Sequence, residues 1–165
     1  MAHPGRGGRK GLPLSDPGKI KRNYIWTLIW YWLPLLAWMG VIFYLSAQPD
    51  LPGPPSPWLV DLLANVAHFV LYAVLAFLWW RALTGGRRTE TLILGLTFVA
   101  AVLYGLSDEY HQSFVPGRDP SLKDLFVDAV GAATVLGLIW WRSFRNTKRR
   151  SIRSARKEAE RNREN

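Results

Sequence analysis

Apolar residues fall in four long blocks, about 24–45, 58–83, 91–106 and 122–141, and charged residues collect between and outside them. Long apolar blocks without a polar face mark helices surrounded by apolar material on all sides, the pattern of membrane spans. A helix rises about 1.5 Å per residue, so about twenty residues cross a hydrocarbon core of about 30 Å. The first, second and fourth blocks meet that length. The purely apolar part of the third is short, and continuing it to Gln112 supplies the missing turns. The expected fold is all-α: an integral membrane four-helix bundle over residues 24–141. Pro34 removes a backbone hydrogen bond near the middle of the first helix and predicts a kink there. Trp26, Trp30 and Trp32 near its start, and Trp140 and Trp141 at the end of the fourth helix, fit interfacial aromatic belts. Ala129, Ala133 and Gly137, small residues at four-residue spacing, are expected to let another helix approach closely.

The flanking segments set orientation. Residues 1–23 are rich in Gly, Pro, Lys and Arg, which predicts a disordered basic tail. Residues 46–57 (SAQPDLPGPPSP) hold too many prolines for a helix. The basic tail 142–165 mixes Lys157 and Arg161 with Glu158 and Glu160, which suits either a surface helix on anionic lipid or no order. Every Lys and Arg except Arg118 and Lys123 lies in the two tails or in the turn 81–88. By the positive-inside rule both termini and that turn are expected in the cytoplasm, with the Pro-rich connection and the loop around Pro116 outside. The net charge of +9 arises at the two ends, which points to the lipids of an anionic inner leaflet and not to nucleic acid. The absence of Cys excludes disulfides, thiolate nucleophiles and Cys-ligated metal sites. The first apolar run is long, rich in Trp and followed by no small-residue cleavage site, so a cleavable signal peptide is not expected.

Against this apolar background the ionisable residues stand out. Asp61, Asn65, His68 and Tyr72 share one face of the second helix and are expected to point toward other helices. Asp108, His111 and Gln112 share a face at the end of the third, leaving Glu109 and Tyr110 turned aside, and Asp124 and Asp128 open the fourth. With the orientation above, all three groups converge near the outer surface, where an unpaired charge costs several kcal/mol. Asp108 beside His111 is the minimum for general acid–base chemistry. The same pair with His68 and Asp128 could ligate a metal, but such spacing has low specificity; no metal is assigned and no cofactor follows from the sequence. Arg118 offers a planar fork to a phosphate or carboxylate, and Lys123 adds charge at a helix start whose free N–H groups favour anions. The candidate ligand-binding set is His68, Tyr72, Glu109, Gln112, Arg118, Asp124 and Asp128.

Four stretches between residues 41 and 137 carry a family resemblance: FYLSAQP at 43–49, AHFVLYAVLAFL at 67–78, DEYHQSFVPGR at 108–118 and DLFVDAVGA at 124–132. With them the chain resembles the VanZ-like family, small bacterial membrane proteins named for a member associated with teicoplanin resistance. The resemblance implies a multi-pass protein of the bacterial plasma membrane that acts at the cell envelope. The expected function is binding of an anionic or lipid-linked cell-wall ligand in an outward-facing polar pocket, with lowered susceptibility to teicoplanin-type glycopeptides. Two alternatives stand beside it: an intramembrane hydrolase or transferase using Asp108 and His111, and a structural adaptor that works through protein partners.

Overall fold

The computed structural model describes residues 17–49, 56–85 and 90–164. They form four helices: α1 (Pro17–Ser46), α2 (Pro57–Thr84), α3 (Thr91–Gln112) and α4 (Leu122–Glu164). Residues 1–16 of the amino tail, most of the Pro-rich connection and the centre of the basic turn lie outside the described residues. Ile25–Ser46, Pro57–Thr84 and Thr91–Gln112 are long and apolar enough to cross a membrane. α3 runs to Gln112, as the length argument requires.

Two boundaries differ from expectation. α1 opens at Pro17, within the segment read as tail, because a proline is tolerated in the first turn and its fixed φ suits a helix start. α4 continues without a break past Trp141 to Glu164, so the described part of the basic segment is the exposed continuation of a 43-residue helix. α2 begins with Pro57 in its first turn and ends on Gly85, whose φ of 56° is the left-handed cap that a residue lacking Cβ adopts without strain.

Many large apolar side chains are exposed, among them Trp26, Leu33 and Leu36 on α1, Leu62 and Val66 on α2, and Leu96, Val99 and Leu103 on α3. A contiguous apolar exterior of this kind suits lipid as solvent. The interior is small and layered. Leu35 and Ile42 of α1 pack with Tyr72, Leu75 and Ala82 of α2, and Ala76 packs with Leu94 and Ala101 of α3 and Ala132 and Leu136 of α4. α1 is pinned by side chains that reach a neighbour's backbone: Trp38 Nε1 donates to the Leu71 carbonyl (3.0 Å) and the Tyr104 hydroxyl to the Met39 carbonyl (2.6 Å). Arg81 lies over the rings of Trp30 and Tyr31, so the aromatic start of α1 is level with the basic end of α2.

The Ala129, Ala133, Gly137 spacing does not mark the seam between α4 and α2. Ala133 and Gly137 are exposed, and a Cβ on Gly137 would meet nothing within 4 Å. A Cβ on Gly131 would lie 2.4 Å from the Phe69 carbonyl oxygen, so α4 rests on the backbone of α2 there. The seam continues through Asp128, Ala132 and Leu136, all buried and four residues apart. Asp61 also departs from its expected place: it is exposed, and the inward face of α2 begins with Asn65 and His68.

Candidate functional site

The ends of α1 and α3 and the beginnings of α2 and α4 meet at one level, where four cross-links join them. His68 Nδ1 lies 3.0 Å from Asp128 Oδ1, and Glu109 Oε2 accepts from the Ser121 backbone N–H at 2.7 Å. Ser46 Oγ lies 3.4 Å from His111 Nδ1, and Arg118 Nε donates to the Gln48 carbonyl at 3.0 Å. The polar residues that the sequence scatters over three segments are therefore neighbours, arranged in two groups on opposite sides of α3.

The first group lies between α2, α3 and α4. Asp128 is only 1% exposed and His68 is half-buried beside it. Glu109, expected to turn aside, points into this group and is buried. Its carboxylate caps α4: it takes the backbone N–H of Ser121, whose hydroxyl in turn accepts from Asp124 N–H at 3.3 Å. Ser121 with Asp124 three residues on has the form of a capping box, but the reciprocal acid comes from α3. Glu109 thus occupies the place at the start of α4 that an anionic ligand was expected to take. Tyr72 completes the group, almost fully buried and with no partner for its hydroxyl. Gly105 makes room: a Cβ there would stand 3.3 Å from the Tyr72 ring and 3.5 Å from Asp128 Oδ2.

The second group lies between α1 and α3. Asp108 is buried and accepts from Gln112 Nε2 at 3.1 Å, an i, i+4 pair on one helix face. The His111 ring packs on Phe43, centroids 4.2 Å apart, with Nδ1 toward Ser46. No hydrogen bond joins Asp108 to His111 among the described residues; the acid–imidazole contact of this site is His68 with Asp128. Ser46, Gly105, Ser121 and Gly131 were not singled out in the sequence. Ser121 alone had a usable signal, its S-x-x-D spacing at a helix start.

Asp108 Oδ1, Glu109 Oε1, Asp128 Oδ2 and the Tyr72 hydroxyl are buried without a hydrogen-bond partner. Unpaired buried polar atoms each cost about 1–3 kcal/mol. The four belong to side chains of three helices and stand at one level.

Comparison with curated proteins and with solved structures finds no match for this chain. The model of the VanZ/LLP1 family matches residues 30–144, which include α2, α3, both polar groups and the apolar half of α4, and the chain belongs to that family.

Proposed function

We propose that this protein is a multi-pass membrane protein of the bacterial envelope that binds a lipid-linked cell-wall ligand at the level of Asp108 and Asp128. The observation that carries this reading is the convergence of Asp108, Glu109, Asp128 and Tyr72 on one level with unpaired buried oxygens. Acceptors of that kind suit the hydroxyl and amine donors of a saccharide or peptide head group. Arg118, half-buried in the loop after α3 and held by the Gln48 carbonyl, carries the guanidinium that this reading sets against the anionic part of such a head group. Beside the site, Asn65, Val66, Phe69, Phe126, Val127 and Val130 line an apolar groove of about 320 Å³ between α2 and α4. Phe69 and Val127 adjoin His68 and Asp128 in the chain, so a head group at the site places its hydrocarbon chain in the groove. The reading takes both termini, where most Lys and Arg lie, as cytoplasmic and this site as outward-facing, and has binding there lower susceptibility to teicoplanin-type glycopeptides.

Native mass spectrometry of the protein extracted from its own membrane tests this reading. A polyprenyl-linked mass is expected on the wild type, reduced at least fivefold by Arg118→Ala, with a parallel fall in teicoplanin tolerance. Unchanged lipid occupancy and unchanged tolerance at wild-type membrane levels would sink it.

A second reading, acid–base catalysis within the membrane, is favoured by the contact between His68 and Asp128, in which a buried carboxylate orients an imidazole. The two readings part on Asp128→Asn. Catalysis predicts a variant that still binds ligand but loses function by two orders of magnitude or more, whereas binding alone predicts that function follows occupancy. An adaptor role predicts instead that function follows thermal stability across all substitutions of the two groups.

A further inference from the structure

His68, Glu109 and Asp128 come from three helices, yet each offers a ligating atom to one point: the three atoms lie within 4.8 Å of one another. Donors held at about 2.0–2.2 Å by one cation stand roughly 3–3.5 Å apart. His68 Nδ1 and Asp128 Oδ1 are already at 3.0 Å, and a carboxylate oxygen of Glu109 lies within 4.8 Å of a ligating atom of each.

Charge and hydrogen bonding point the same way. Glu109 and Asp128 are two buried carboxylates, and Asp108 is a third buried one at the same level. His68 contributes at most one positive charge to offset them. Glu109 Oε1 and Asp128 Oδ2 remain without partners, and so does the hydroxyl of Tyr72, a side chain 99% buried by its 1% exposure. Tyr72 Cε1 and Asp128 Oδ2 both border the point that a Cβ on Gly105 would occupy, at 3.3 and 3.5 Å, so the Tyr72 ring and the Asp128 carboxylate line one space.

We propose that His68, Glu109 and Asp128 form a binding site for one divalent first-row transition-metal cation, with the Tyr72 hydroxyl beside it. One imidazole and two carboxylates suit Zn²⁺, Mn²⁺ or Fe²⁺; the set lacks the sulfur that selects Cu⁺ and the all-oxygen shell that suits Ca²⁺. Three protein ligands leave a coordination position for water or a ligand oxygen, the arrangement of open sites rather than closed structural ones. The assignment stands on donor geometry and does not require the lipid-linked ligand.

The test uses the full-length protein in nanodiscs, stripped with chelator and titrated with Zn²⁺, and with Co²⁺ as the absorbing probe. Saturation at one ion per chain is expected, with a Zn²⁺-dependent rise in melting temperature. Glu109→Gln and His68→Gln are expected to weaken binding at least tenfold, while Asp119→Asn, in the exposed part of the loop, leaves it unchanged. Absence of saturable binding to folded wild type overturns the proposal, as does equal affinity in the wild type and both site variants. Should either variant fail to fold, the wild-type melting shift decides: a shift supports the site, and no shift at saturating Zn²⁺ overturns it.

Discussion

Gly131→Ala is expected to cost about 3 kcal/mol, the upper end of the range for overpacking a close contact. Most small-to-large substitutions are absorbed by a side-chain rotation in the neighbour. Here the added methyl meets the Phe69 carbonyl oxygen at 2.4 Å and its carbonyl carbon at 3.1 Å, atoms held in the backbone of α2. Backbone cannot rotate aside, so α4 must move off α2, and that motion separates His68 from Asp128 on the same seam. At about 2–4 °C per kcal/mol for a chain of this size, the melting temperature should fall by roughly 6–12 °C. The nine Trp give the fluorescence signal for the melt. Gly137→Ala is the control, with nothing within 4 Å of its added methyl. It should lie within about 1 kcal/mol of wild type, on the stable side, since alanine is the better helix former. Equal melting of the two variants would mean that α2 and α4 do not touch at Gly131.

The contrast between these glycines shows where a sequence stops being readable. The four apolar blocks and the continuation of α3 to Gln112 follow from length and hydropathy, quantities that each helix carries alone. So does the common level of the polar residues, once helix direction is set by charge. Azimuth is different, because it belongs to pairs of helices. Residues four apart share a face, but nothing within α4 says whether the face of Ala133 and Gly137 or that of Asp128 and Ala132 meets α2. The same limit misplaced Glu109. Asp108 and Glu109 differ by about 100° around α3, and choosing one as inward assumes that α3 has neighbours on one side only. α1 covers one flank, with Ser46 and Phe43 against His111, while α2 and α4 cover the other, with His68 and Ser121 near Glu109. Both acids are buried, each against a different partner. Asp108 and His111 share a face of α3, yet the His111 ring packs on Phe43 of α1 with Nδ1 toward Ser46 and makes no hydrogen bond to Asp108 among the described residues. Asp61 lies too near the start of α2 to be covered by any other helix.

His68→Ala is expected to be the most damaging substitution at the site after those that move the helices apart, and its cost depends on what is left behind. Removing one member of a buried charged pair costs about 3–5 kcal/mol, because the remaining partner keeps the desolvation penalty without the compensation. His68→Ala should approach that figure, since it strands a carboxylate that is 1% exposed. Asp128→Ala should cost less than His68→Ala, because the imidazole it strands is more exposed than the carboxylate that His68→Ala strands. The double variant His68→Phe with Asp128→Leu removes both charges and refills the space with apolar volume. It should melt closer to wild type than either single variant, with a coupling of about 2 kcal/mol in the cycle. Thermal melts in chelator measure the pair itself; repeating them with Zn²⁺ separates the contribution of a bound cation. Additive costs in chelator would show that His68 and Asp128 do not interact, and the bundle would then owe nothing to their contact. A double variant that is stable but has lost its function is the informative result. It would mean that the membrane fold tolerates an apolar seam at this level, and that the chain retains the charged one for what it binds.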